Sequence, residues 1–225
     1  MLKALLLALT LFASTSHAAE IITAPPDKPD PAKTYVFYLH GKIIEEKGPR
    51  PTDARFGLYD YPAVLETLAS RGAVVISAQR PKDTDMAAYA GAVVGQIEHL
   101  IELGVPENHI VVVGFSKGGG IAARVSSFLR RRDVRFVLLA ACWDAKQSPL
   151  RLAGRVLSIR EASDTLVTES CRTFAEQAEK PASFDELVID TGRSHGAFYL
   201  PREEWTKPTL EFIHTGRNDP AIGHK

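Results

Sequence analysis

Apolar residues in this chain fall into two patterns, short unbroken runs and longer stretches in which they recur every third or fourth position, and the two alternate. The runs at 34–39, 73–78, 110–113, 134–140, 155–159 and 184–189 suit strands buried on both faces. Between them, 61–70, 85–103, 121–129, 169–179 and 203–214 have the spacing of helices. This alternation predicts a three-layer α/β fold, a mostly parallel sheet of about six strands with helices on both faces. Residues 24–32, rich in Pro and Asp, and the charged stretch 42–60 fit neither pattern. The second leaves the first strand at the end where a parallel sheet carries its site, so it is an irregular stretch that reads either as a candidate substrate-binding lip or as a charged, solvated loop.

The densest signal is Ile110-Val111-Val112-Val113-Gly114-Phe115-Ser116-Lys117-Gly118-Gly119-Gly120. A β-branched run stops at a glycine, shows one serine and enters a helix. A turn that tight needs Gly114 and Gly118 to remove colliding side chains, and Gly119 and Gly120 to let the helix lie close to the sheet. Backbone strain held at one serine points to function. A phosphate cradle would need G-x-x-x-x-G-K-S/T, whereas here the lysine precedes the glycine run.

Gly114-Phe115-Ser116-Lys117-Gly118 matches G-x-S-x-G, and with its strand before and helix after, the chain resembles the α/β-hydrolase family. The resemblance implies a reduced α/β-hydrolase fold and a serine, acid, histidine order along the chain. Ser116 takes the place of the nucleophile. Asp164, in the acidic turn after 155–159, matches the acid; His195, in the loop after 184–189, matches the base. Asp144, Glu161 and Asp190 are the other acids near strand ends. His99, His109 and His214 do not follow a strand at the site end. The family takes its oxyanion donors from backbone N–H groups, here those of Lys117 and, in the Tyr38-Leu39-His40-Gly41-Lys42 loop, Lys42, with His40 structural. Lys117 departs from the family's commoner uncharged residue and would set a cation at the mouth, favouring polar or anionic substrates. Gly41, Phe115, Trp143, Phe198 and Tyr199 are candidate lining residues. Only 48 positions separate Ser116 from Asp164, which leaves no room for a large cap.

Residues 1–19 read as a secretory signal peptide: a lysine, an apolar run too short to span a bilayer, then small residues ending in Ala18-Ala19. Residues 20–225 are then expected to form one exported domain, periplasmic or secreted, with no membrane span. Lys and Arg total 27, as do Asp and Glu, and Arg130-Arg131-Arg132 suits the end of a helix, so no nucleic-acid partner is expected. In an oxidising compartment Cys142 and Cys171, on segments that sheet order brings together, are expected to pair; two free thiols are the alternative. No His and Cys cluster has zinc spacing, so no metal and no cofactor is expected. The expectation is a serine hydrolase acting on a small acyl-bearing molecule. A binding or scaffold protein on the same fold is the alternative.

Overall fold

The computed structural model describes residues 19–143, 148–177 and 181–217. The signal segment up to residue 18, the alternative acid Asp144 and the end of the helix expected at 169–179 lie outside these. In chain order the elements are β1 (Glu20–Ile22), β2 (Tyr35–Leu39), α1 (Lys42–Lys47), β3 (Thr52–Asp53), β4 (Gly57–Leu58), α2 (Tyr61–Ala69), β5 (Val74–Ile76) and α3 (Met86–Glu102). Then follow β6 (Ile110–Phe115), α4 (Lys117–Leu129), β7 (Arg135–Leu139), β8 (Arg155–Glu161), α5 (Arg172–Glu176), β9 (Ser183–Ile189) and α6 (Glu203–Thr215).

Seven strands form one sheet in the order β1-β5-β2-β6-β7-β8-β9, every neighbouring pair parallel. The α/β layering expected from the alternation is thus present, with one strand more. β1 was not legible because three residues show no period, and they become a strand only by pairing with the edge of β5. The stretch 42–60 is also not irregular. It folds into α1 and a two-stranded antiparallel ribbon of β3 and β4, with Asp53 Oδ1 accepting the Arg55 and Phe56 N–H groups in the turn between them. α5 is shorter than the helix expected from 169 onward, because Ser170 and Cys171 are held instead by the Glu186 carboxylate.

The sheet's side-chain alternation divides the core. Ile110 and Val112 of β6 pack with α3, α4 and α5, while Val111, Val113 and Phe115 pack with α1, α2 and α6. β6 is central and wholly buried, so its C-terminal end opens where loops from both halves of the sheet converge. A disulfide joins Cys142, just after β7, to Cys171 at the start of α5.

Candidate active site

Ser116 stands between β6 and α4 with φ 53° and ψ −122°, a strained conformation for a residue with a side chain. Its neighbours allow the turn by being small. A Cβ on Gly114 would run into the Gly118 carbonyl, and one on Gly118 into the Leu39 carbonyl of β2. The Ser116 N–H is tied to Leu139 O at 2.9 Å, which fixes the turn to β7. The result is a half-buried hydroxyl projecting at the C-terminal end of the sheet.

His195 reaches that hydroxyl from the 3-10 turn Ser194–Phe198, which follows β9. Its Nε2 lies 2.9 Å from Ser116 Oγ and its Nδ1 2.7 Å from Asp164 Oδ2. With the proton on Nδ1, the ring donates to Asp164 and accepts the serine hydroxyl. Asp164 Oδ1 accepts the N–H groups of Leu166 at 2.8 Å and Val167 at 3.3 Å, so each carboxylate oxygen has an assigned direction. Burial pushes the Asp164 carboxyl up, but the His195 hydrogen bond and charge and these two N–H groups outweigh it, and the group lies below its ordinary value. The ring of Phe115 packs against His195 at 4.9 Å between centroids, and Phe56, from the β3–β4 turn, packs at 6.0 Å.

The loops that carry Asp164 and His195 are bracketed by Glu161 rather than joined only through the two side chains. Its buried carboxylate accepts from Ser163 Oγ at 2.8 Å and from Thr191 N and Oγ1 at 3.1 and 3.0 Å, while Ser163 Oγ accepts the Ser194 N–H at 3.0 Å. Glu161 is therefore engaged on backbone and hydroxyl groups, and the acid bonded to His195 is Asp164. Two clefts meet at Ser116 and His195. One, of about 620 Å³, is lined on its apolar side by Met86, Trp143, Leu166 and Val167. The other, of about 300 Å³, is lined by Gly41, Phe56, Phe115 and Tyr199 with a charged rim.

Lys42 and Lys117 line the larger cleft as the first residues of α1 and α4, where backbone N–H groups have no partner within their helix. The Lys117 ammonium is not a free cation at the mouth: Nζ lies 2.6 Å from Glu45 Oε2, and the side chain is 15% exposed. That is a correction to the sequence reading, since the carboxylate that neutralises it lies 72 positions away. Phe198 is a second correction. It is fully buried against Phe115 and Trp205 and lines neither cleft. His40 is buried and structural, its Nδ1 2.9 Å from Gly41 O and its Nε2 accepting the Arg80 N–H at 2.9 Å. Among the described residues no group of three or more His, Cys, Asp or Glu side chains is placed to hold a metal ion, and no helix is long and apolar enough to cross a membrane.

Within the charged stretch 42–60 the sequence does not single out Glu45 or Phe56, and Arg80 carries no signal of its own. The Ile43-Ile44-Glu45-Glu46 pattern could have suggested a short helix, but nothing local marks Glu45 as the buried one. No protein-family model matches the chain, and no curated protein matches it in sequence. Solved structures do. The dienelactone hydrolase of Anabaena variabilis is similar with a TM-score of 0.55 and 17% identity, over 83% of this chain and 88% of that one. SOBER1 of Arabidopsis thaliana is similar at 0.54 and 12%, over 81% and 98%, and an esterase/lipase from an uncultured bacterium at 0.54 and 14%, over 81% and 76%. At these identities the likeness establishes the fold, which is the α/β-hydrolase fold expected from Gly114 to Gly118 and its flanking strand and helix.

Proposed function

On this α/β-hydrolase fold, we propose that the protein is an exported serine hydrolase that cleaves a small ester or related acyl substrate through an acyl-enzyme on Ser116. The observation that carries the reading is the continuous hydrogen-bonded chain from Ser116 Oγ through His195 to Asp164, set where two clefts meet. The esterase/lipase and the dienelactone hydrolase that share the fold support hydrolysis as its chemistry. Residues 1–19 as a removable signal peptide, followed by one domain from 20 to 225, account for the export, and the disulfide is compatible with it.

In this mechanism Ser116 Oγ attacks the substrate carbonyl carbon as His195 Nε2 takes the hydroxyl proton. Asp164 holds the ring with its other nitrogen protonated and stabilises the imidazolium that forms. The negative charge moves to the carbonyl oxygen, where the N–H groups of Lys117 and Lys42 hold it. His195 then gives its proton to the leaving oxygen as the bond to it breaks. Water repeats the sequence on the acyl-enzyme, releasing the acid and restoring Ser116. Hydrolysis of p-nitrophenyl acetate by the mature protein tests the reading: a rate that vanishes in Ser116→Ala supports it, and equal rates in the two contradict it.

A further inference from the structure

We propose that Glu45 is a positioning residue that sets the spacing of the two oxyanion donors, acting through the side chain of Lys117 and through Arg80. The proposal rests on the acyl-transfer reading above and deepens it.

Glu45 lies in α1, one turn after the Lys42 N–H, and its side chain is wholly buried. Its two oxygens serve different elements. Oε1 accepts from Arg80 Nε at 2.8 Å, in the segment after β5, and Oε2 accepts from Lys117 Nζ at 2.6 Å, at the start of α4. Lys117 thus offers its N–H to one end of the proposed hole while its side chain returns to the helix that supplies the other end. Arg80 closes the arrangement from behind. Its Nη2 donates to the His40 carbonyl and its N–H to His40 Nε2, and the neighbouring Gln79 Nε2 donates to Ile44 O at 3.2 Å. Gly41 completes the corner, where an added Cβ would press on the Phe115 ring at 3.2 Å.

Stability alone does not explain this choice of residues. Burying a carboxylate and a guanidinium costs several kcal/mol of solvation per ion, about what their pairing returns, and apolar side chains would join the same segments as firmly. Charged groups with fixed hydrogen-bond directions specify geometry instead, and donors aimed at an oxyanion must be held to within about 0.5 Å. Lys117 in place of an uncharged residue is then explained as one end of this brace.

The test measures kcat and KM for p-nitrophenyl acetate, and inhibition by a trifluoromethyl ketone that forms a tetrahedral adduct with serine, in wild type, Lys117→Met, Lys117→Arg, Glu45→Gln and Glu45→Gln/Lys117→Met. Losing an oxyanion donor outright costs about 10²–10³ in kcat, so disturbing its placement in Lys117→Met or Glu45→Gln is expected to cost about tenfold or more. KM should change little, and ketone inhibition should weaken by the same factor as kcat/KM falls. The double variant should lose no more than the worse single one, and Lys117→Arg should recover most of the loss. If Glu45→Gln does not fold, the Lys117→Met and Lys117→Arg pair carries the test. An active wild type whose Lys117→Met variant keeps kcat and ketone affinity, or loses only in KM, overturns the role of Glu45. A wild type that neither hydrolyses the ester nor binds the ketone overturns the acyl-transfer reading itself.

Discussion

The carboxylate of Glu161, at the end of β8, accepts both the N–H and the hydroxyl of Thr191, thirty positions on and just beyond β9. Glu161 and Ile189 are partners in the parallel register, so the pair closes the gap immediately past the last rung of the sheet. Through Ser163 and Ser194 the same carboxylate reaches both loops that carry the proposed acid and base. Glu161→Ala is therefore expected to leave several part-buried donors without their acceptor and to cost about 1–2 kcal/mol of stability. Urea unfolding checks that. The reaction should suffer too, with kcat lower because Asp164 and His195 are no longer held in register; a variant less stable but equally fast would mean that the bracket serves only the fold.

Asp164→Asn should lower kcat by about 10⁴, because the amide no longer fixes the proton on Nδ1 of His195. Asp144→Asn, at one of the other acids the sequence offers, should leave kcat unchanged. Steady-state kinetics on one activated ester compares the two directly, and the reverse ranking would move the acid to the loop after β7.

Acid should destabilise the protein by way of His40. Burial, and then the Arg80 charge, push its imidazole down to about 3. In the unfolded chain the ring titrates near its ordinary value of about 6.5, so between these values the unfolded chain binds a proton that the folded one does not. Stability therefore falls as pH drops from about 6.5 towards 3, by at most about 1.4 kcal/mol per pH unit from this group. Asp164 adds in the same direction at lower pH: its depressed carboxyl contributes stability above the ordinary carboxylate value, and that is lost as pH falls through the folded value. Urea unfolding at pH 6.5 and 5 should show a steep loss in the wild type and a shallower one in His40→Gln. Equal slopes would mean that His40 does not supply this proton.

The disulfide closes a separation of 29 residues between the loop after β7 and α5. Cys142→Ser/Cys171→Ser should cost about 3 kcal/mol, roughly 6–12 °C in Tm. Because Trp143 follows Cys142 and lines the larger cleft, KM should rise with it, whereas kcat should hold. Differential scanning calorimetry with kinetics on the same sample tests both halves.

What could be read from the sequence was local. The β6 run and the glycines around Ser116 announce their turn because Gly114 meets Gly118 within five residues, although Gly118 itself is kept small by the Leu39 carbonyl of β2, and the order of Ser116, Asp164 and His195 needs only the strand ends. The brace at Glu45 was not legible, since its partners Arg80 and Lys117 are 35 and 72 positions away and come together only through the parallel sheet. Aromatic residues near strand ends divide in the same way. Phe56 reaches His195 while Phe198 turns into the core, and their sequence neighbourhoods do not distinguish a side chain that rotates toward the cleft from one that rotates away.

The most direct test of the central claim is labelling of the mature protein with a fluorophosphonate, followed by peptide mass mapping, with Ser116→Ala and heat-denatured protein as controls. One adduct, on Ser116, is expected in the native wild type and none in either control. A native protein that remains unlabelled and is inert towards small acetyl esters would contradict it, and would leave a binding protein on a hydrolase fold.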